Sequence, residues 1–176
     1  MLYEFDGKSP KIEADSYVSE TAILVGDVTI GHKCYIGHGV VMRGDYGSIV
    51  IGSGSAIEEG VVIHAPPKEI CNIGEMVTAG HGAIIHASVI AEFSVIGMGA
   101  VLSIHSKIGK HSIIAEGAVV KMKQVIPDSV IAGGNPAKVI RNVQRKDEEF
   151  WRAGKQLYID LAHKYLAVGM KKISRE

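Results

Sequence analysis

Aliphatic side chains return every six residues along most of this chain, and few folds can use such a period. The series runs Ile12, Val18, Leu24, Ile30, Ile36, Met42, and resumes after a three-residue excess at Ile51, Ile57, Ile63. After a four-residue excess it continues through Ile73, Ala79, Ile85; one short step leads to Ile90, then Ile96, Leu102, Ile108, Ile114, Val120 and Ile126. Four positions after many of these comes a small or β-branched residue, as at Ala22, Val28, Cys34, Val40, Ser55, Val61, Val77, Ala83, Ala100, Ser112 and Ala118. An α-helix needs a period of about 3.6, so it is excluded here. A six-residue period suits short strands joined by turns, each strand sending one large apolar side chain inward while the small position lets the chain round a corner. Three such units close a triangular coil, and successive coils stack at the sheet spacing of about 4.8 Å.

The repeat then works as a ruler. Units three apart share a face, so the units beginning at Met42, Ile63 and Ile85 lie one above the other. Their second residues, Arg43, His64 and His86, are expected in one column. Two imidazoles about 4.8 Å apart can converge on one ion at about 2.1 Å from each ring nitrogen. His81 is the third residue of the Ala79 unit on the adjacent face and points away from that column. It can complete a three-histidine set only around a corner or from another molecule. A trimer with His64 and His86 from one subunit and His81 from its neighbour satisfies this, because cyclic symmetry lets head-to-tail contacts close. Three protein ligands with an open fourth position are the pattern of a catalytic zinc site.

Formal net charge is zero, from 19 basic and 19 acidic residues, so neither nucleic acid nor an anionic membrane is expected as a partner. The start, Met1-Leu2-Tyr3-Glu4-Phe5-Asp6, carries no basic and apolar leader pattern, and no apolar run is long enough to span a bilayer. The two cysteines, Cys34 and Cys71, make no disulfide framework and fit a reducing cytoplasm. Past the exit turn at Ile131-Ala132-Gly133-Gly134-Asn135-Pro136-Ala137-Lys138 the period changes. From about Asp147, Phe150, Leu157, Leu161 and Tyr165 fall on one helical face with Trp151, Tyr158 and Ala162 beside them. The expected organisation is a β-helix domain over 1–140 and a C-terminal helix packed on it over 141–176, with Lys171–Glu176 frayed.

The repeat over residues 10–135 resembles the left-handed parallel β-helix of hexapeptide-repeat proteins. Within that superfamily, Arg43-Gly44-Asp45, Glu58 six residues before His64, and His81 and His86 five apart are similar to the short-chain subgroup of γ-class carbonic anhydrases. The resemblance implies a homotrimer binding zinc, or iron or cobalt, through His64, His81 and His86, with reversible hydration of carbon dioxide to bicarbonate by a metal-bound hydroxide. It implies that Arg43 and Asp45 pair across the interface and that Tyr158 reaches the metal cleft. The family pattern ahead of the first metal histidine is Asn-x-Gln, whereas this chain has Ala56-Ile57-Glu58. Glu58 therefore stands where the family holds the reactive hydroxide with an amide, and can accept a proton, ligate the metal or repel bicarbonate. Two other functions use the same repeat. An acyl-CoA acyltransferase needs a coenzyme A groove, and the excursions here are short for its loop. A non-catalytic metal-binding trimer would follow if Glu58 marks lost activity.

Overall fold

The protein is described by a computed structural model covering residues 1–174. Its strands form a parallel β-solenoid with a single long helix, Arg145–Val168, at the C-terminal end. The three faces follow the sequence ruler residue by residue. On the first, Leu24 pairs in register with Met42, Met42 with Ile63, Ile63 with Ile85, Ile85 with Leu102 and Leu102 with Val120. On the second, Ile12, Ile30, Ile51, Ile73, Ile90, Ile108 and Ile126 form the same kind of ladder. On the third it is Val18, Ile36, Ile57, Ala79, Ile96, Ile114 and Ala132. The inward side chains form one continuous core from Ala22 to Ala137, with Ile12 and Val18 packed against its open end. Each fully buried aliphatic side chain contributes about 1.5–3 kcal/mol of transfer free energy, so the ladder dominates the favourable side of folding.

The corners are built by the small residues. Ala22, Ala83, Ala100 and Ala118 are buried there. Where the small residue is serine, its hydroxyl takes up corner backbone groups: Ser55 Oγ donates to Gly74 O at 2.8 Å and accepts the Val77 N–H at 2.9 Å. Ser112 repeats this with Pro127 O at 2.6 Å and the Val130 N–H at 3.2 Å. A buried polar group thereby stays satisfied in a dry interior. The first excursion of the period is absorbed inside one long strand, Val41–Ile51, which turns a corner between two faces. There Gly26, at φ +74°, faces Gly44 so closely that an added Cβ would lie 2.5 Å from Gly44 O. Arg43 and Asp45 therefore flank a glycine that close backbone packing requires.

The C-terminal region differs from the expectation in two ways. After the exit turn the chain runs back as a strand, Lys138–Asn142, antiparallel to Val130–Gly133, and so covers the last coil's edge. The helix begins at Arg145, two residues early; Asp147 accepts the Gln144 N–H at 2.8 Å and both Arg141 guanidinium nitrogens, at 2.6 and 3.0 Å. Its inward face is also rotated from the expected one: Leu161 and Tyr165 pack on the solenoid as expected, with Ala162 and Tyr158 beside them, but the other end of the stripe turns away. Phe150 and Leu157, expected inside, are 69% and 64% exposed, while Lys155 and Ala162 are buried. The inward stripe is Trp151, Lys155, Tyr158, Ala162 and Tyr165, with Tyr165 stacked on Tyr17 at a centroid distance of 4.4 Å. A tyrosine cluster on the third face, not an aliphatic seam, docks the helix. The fraying expected of Lys171–Glu176 lies partly outside the described residues, and 171–174 have no regular structure.

Truncating the ladder should be costly because the coil cannot collapse around one missing rung. Ile57→Ala, at a fully buried position, is expected to lower unfolding stability by about 2–5 kcal/mol in urea or guanidinium titration, with the denaturant slope unchanged.

Candidate metal centre

The column expected from the period is present. His64 pairs in register with His86, and Arg43 with His64. The two imidazoles stack face to face, centroids 5.0 Å apart and planes 21° from parallel. Arg43 closes the column from below: its Nη2 donates to His64 Nε2 at 2.9 Å and its Nη1 bonds Asp45 Oδ2 at 3.2 Å. Burial, reinforced by the Arg43 charge and the neighbouring His86, holds the His64 pKa below the ordinary imidazole value. His64 is therefore neutral, the protonation state a metal ligand needs. His86 Nε2 is buried and has no hydrogen-bond partner among the described residues. An orphaned, buried imidazole nitrogen is costly to maintain, and it is what a ligand waiting for an ion presents. The donors therefore fit a borderline-soft divalent metal such as zinc.

His81 is on the other side of the corner, as its place in the repeat requires. It follows the Thr78–Ala79 strand of the third face. Its backbone N–H donates to Glu58 Oε2 at 3.1 Å, and its ring Nε2 lies 3.2 Å from the same oxygen. Its Nδ1 lies 2.8 Å from Glu59 Oε2, and the other Glu59 oxygen accepts a 2.6 Å bond from the Tyr35 hydroxyl. Glu58 is only 6% exposed and is hydrogen-bonded by Tyr158. Desolvation, partly offset by His81 and by that tyrosine, raises its pKa. Burial and the Glu58 charge also push the Tyr158 hydroxyl up, which keeps it a donor. One chain thus carries two separate clusters: Arg43, Asp45, His64 and His86 on the first face, and Glu58, His81 and Tyr158 around the corner. Among the described residues no set of three or more His, Cys, Asp or Glu side chains gathers in a metal-binding arrangement within the single chain.

Three residues of this network stand outside the sequence expectation. Glu59 hides as the second member of an acidic pair before Gly60. Tyr35 is identifiable only through the third face's stacking. Lys155 sits in the helix's aromatic stripe four residues after Trp151, which is its one signal. It is 3% exposed, with Nζ donating to Thr78 Oγ1 at 3.2 Å and Ser94 O at 3.0 Å. Of the five remaining histidines four are absorbed locally, His32 by Asp15, His105 by Glu69, His111 by a stack on Phe93, and His38 by Ser19, while His163 is exposed on the helix. Cys71 is fully buried in the core ladder, and burial pushes its thiol up to about 11.

The fold and these two clusters define a class: a hexapeptide-repeat β-solenoid with a paired-imidazole column and a carboxylate-held histidine around the corner. Comparison with known proteins narrows it. The chain is 35% identical over 168 residues to Gamma carbonic anhydrase 2, mitochondrial, of Arabidopsis thaliana, covering 92% of this chain and 60% of that protein. It is 33% identical over 160 residues to the carnitine operon protein CaiE of Proteus sp., covering 91% of this chain and 81% of that one. A crystal structure from Bacillus cereus, provisionally assigned as an acetyltransferase, superposes with TM-score 0.93 at 28% identity, over 95% of this chain and 97% of that one. No family model matches the chain. The chain belongs to the γ-carbonic-anhydrase-like family of hexapeptide-repeat proteins. It spans 60–65% of the length of the two plant carbonic anhydrases it matches. Among the described residues no helix is long and apolar enough to cross a membrane.

The buried lysine gives this site a measurable signature. Burial lowers the Lys155 pKa from 10.5 to about 7, with Glu58 opposing. Between those values the unfolded chain binds the proton that the folded chain has released, so this group makes stability rise with pH across the window and imposes its full penalty below it. Lys155→Met should raise the melting temperature at pH 7 and flatten the stability-against-pH curve between about 7 and 10.5, since Ser94 O keeps its bond from the Thr78 N–H. An unchanged slope in calorimetric scans across that range would contradict this.

Proposed function

We propose that the protein is a homotrimeric, metal-dependent carbonic anhydrase, hydrating carbon dioxide to bicarbonate at sites shared between subunits. The observation that carries the reading is the division of histidines in one chain: a stacked pair, His64 and His86, with one orphaned nitrogen, and a third, His81, turned to the next face. His64 and His86 of one subunit and His81 of its neighbour would hold the ion; zinc suits these donors best, with iron or cobalt acceptable. Such an ion brings the pKa of a coordinated water toward neutrality, as is general for carbonic anhydrases.

The chain's own residues supply the rest. Arg43 sits on the His64 nitrogen and must leave it for an ion to bind there. Asp45 keeps the guanidinium close, and Arg's planar fork suits a carboxylate across an interface. Glu58, turned toward the reacting centre by the His81 N–H and Tyr158, takes the proton at its carboxylate. Trimer formation is supported by exposed apolar side chains beside each half-site. Val62 and Ile84 lie on the strands carrying His64 and His86, and Phe150 and Met98 line the groove that holds His81. Two unlike patches on one chain are what a closed head-to-tail ring needs. The free, buried Cys34 and Cys71 suit a reducing compartment such as the cytoplasm. The acyltransferase reading has support from the assignment of its structural neighbour, but the histidine division has no part to play in it.

Zinc-, iron- or cobalt-loaded protein should hydrate carbon dioxide in stopped flow with a rescuing buffer, and His64→Ala, His81→Ala or His86→Ala should each cost about 100-fold or more, beyond what loss of an outer partner costs. Equal activity after chelation, or no activity with any of the three metals, would count against the reading. Tight acetyl-CoA binding by calorimetry would favour the acyltransferase instead.

A further inference from the structure

We propose that Glu58 is itself a ligand of the shared ion, so that the resting centre has three imidazoles and one carboxylate. This rests on the reading of His64, His81 and His86 as a metal site. Two donor atoms each about 2.1 Å from one ion lie about 3.4 Å apart at a tetrahedral angle. Glu58 Oε2 is 3.2 Å from His81 Nε2, which matches. The competing ring nitrogen, Nδ1, is already taken by Glu59 Oε2 at 2.8 Å, backed by Tyr35. The imidazole is thus fixed with Nε2 and Glu58 Oε2 presented together. Glu59 and Tyr35 hold that orientation, as carboxylates bonded to the far nitrogen of a metal-bound histidine commonly do.

The carboxylate's surroundings point the same way. Glu58 is 6% exposed, and among the described residues no arginine or lysine forms an ion pair with it. Lys155, the buried lysine of the helix, places two of its donors on Thr78 and Ser94 and forms no ion pair with Glu58 among the described residues. The His81 N–H and Tyr158 orient the carboxylate without neutralising it. A buried carboxylate facing one imidazole lacks the compensation that burial demands, and a divalent ion in contact supplies it. An amide at this position, as in the family pattern, is neutral and leaves the coordination place to water. With glutamate there, water reaches the ion only when the carboxylate swings off, so resting affinity rises at the expense of turnover.

The test is isotope-edited infrared difference spectroscopy on the full-length protein with labelled glutamate, titrated with zinc, alongside cobalt affinity by competition. The expected result is a zinc-dependent shift of one carboxylate band that is missing in Glu58→Gln and kept in Glu59→Gln. Cobalt affinity should fall by about 100-fold in Glu58→Gln, the upper end of what an outer partner costs. Zinc that binds wild type and is lost in His81→Ala, but shifts no Glu58 band, would overturn ligation by Glu58 and leave the histidine site standing. Wild-type protein that binds no zinc at all would overturn both. The wild-type spectrum decides the matter even if Glu58→Gln folds poorly.

Discussion

In-register stacking of one aliphatic residue on the next is the interaction on which the rest depends. Ile63 sits on Ile85 inside the coil, and that pairing alone places His64 on His86 outside it. A slip of one residue would turn both histidines inward and both isoleucines to solvent, because side chains alternate along a strand. The cost of exposing such a rung is what fixes a pair of imidazoles 5.0 Å apart. No helix or loop in the described residues has to hold them.

The same stacking sets the electrostatics of the column. Two imidazoles and a guanidinium in file repel if all are charged, and desolvation adds to the cost. His64 therefore stays neutral. On the adjacent face the balance is reversed: Glu58 and Glu59 hold His81 between them, and the tyrosines on the helix and on the third face anchor the carboxylates in turn. Helix docking is thus part of building the cluster around His81. Tyr158 and Lys155 reach it from the helix, while Phe150 and Leu157 stay outside. A single chain holds the imidazole pair on one face and the carboxylate-held histidine on the next, so the proposed function needs association of copies to bring them together.

Much of this is legible in the residues. The six-step series from Ile12 to Ile126 anticipates the ladder partner for partner, since a period that closes a triangular coil leaves no freedom in who stacks on whom. Arg43, His64 and His86 in file, and His81 around the corner, follow from counting alone. The carboxylate clamp is not legible, because Glu59 and Tyr35 meet through side-chain conformations between coils 24 residues apart in sequence. The helix face departs from expectation for a related reason. Hydrophobic periodicity favours Phe150 and Leu157, but the surface that receives the helix is a tyrosine cluster with polar groups at Thr78 and Ser94. A lysine able to lay its stem along that surface and end on two oxygens fits it better than a leucine. The returning strand Lys138–Asn142 carries no inward ladder position, so the repeat could not announce it.

The central claim is that each ion belongs to two subunits, and mixing variants tests it most directly. His81→Ala protein keeps the paired column, and His64→Ala protein keeps His81, so neither alone can assemble a full set. Native mass spectrometry of the two variants unfolded and refolded together with zinc should show mixed trimers carrying a single ion, with the two pure trimers empty. Pure trimers of either variant that retain zinc as wild type does, or mixed trimers that gain none, would contradict the account.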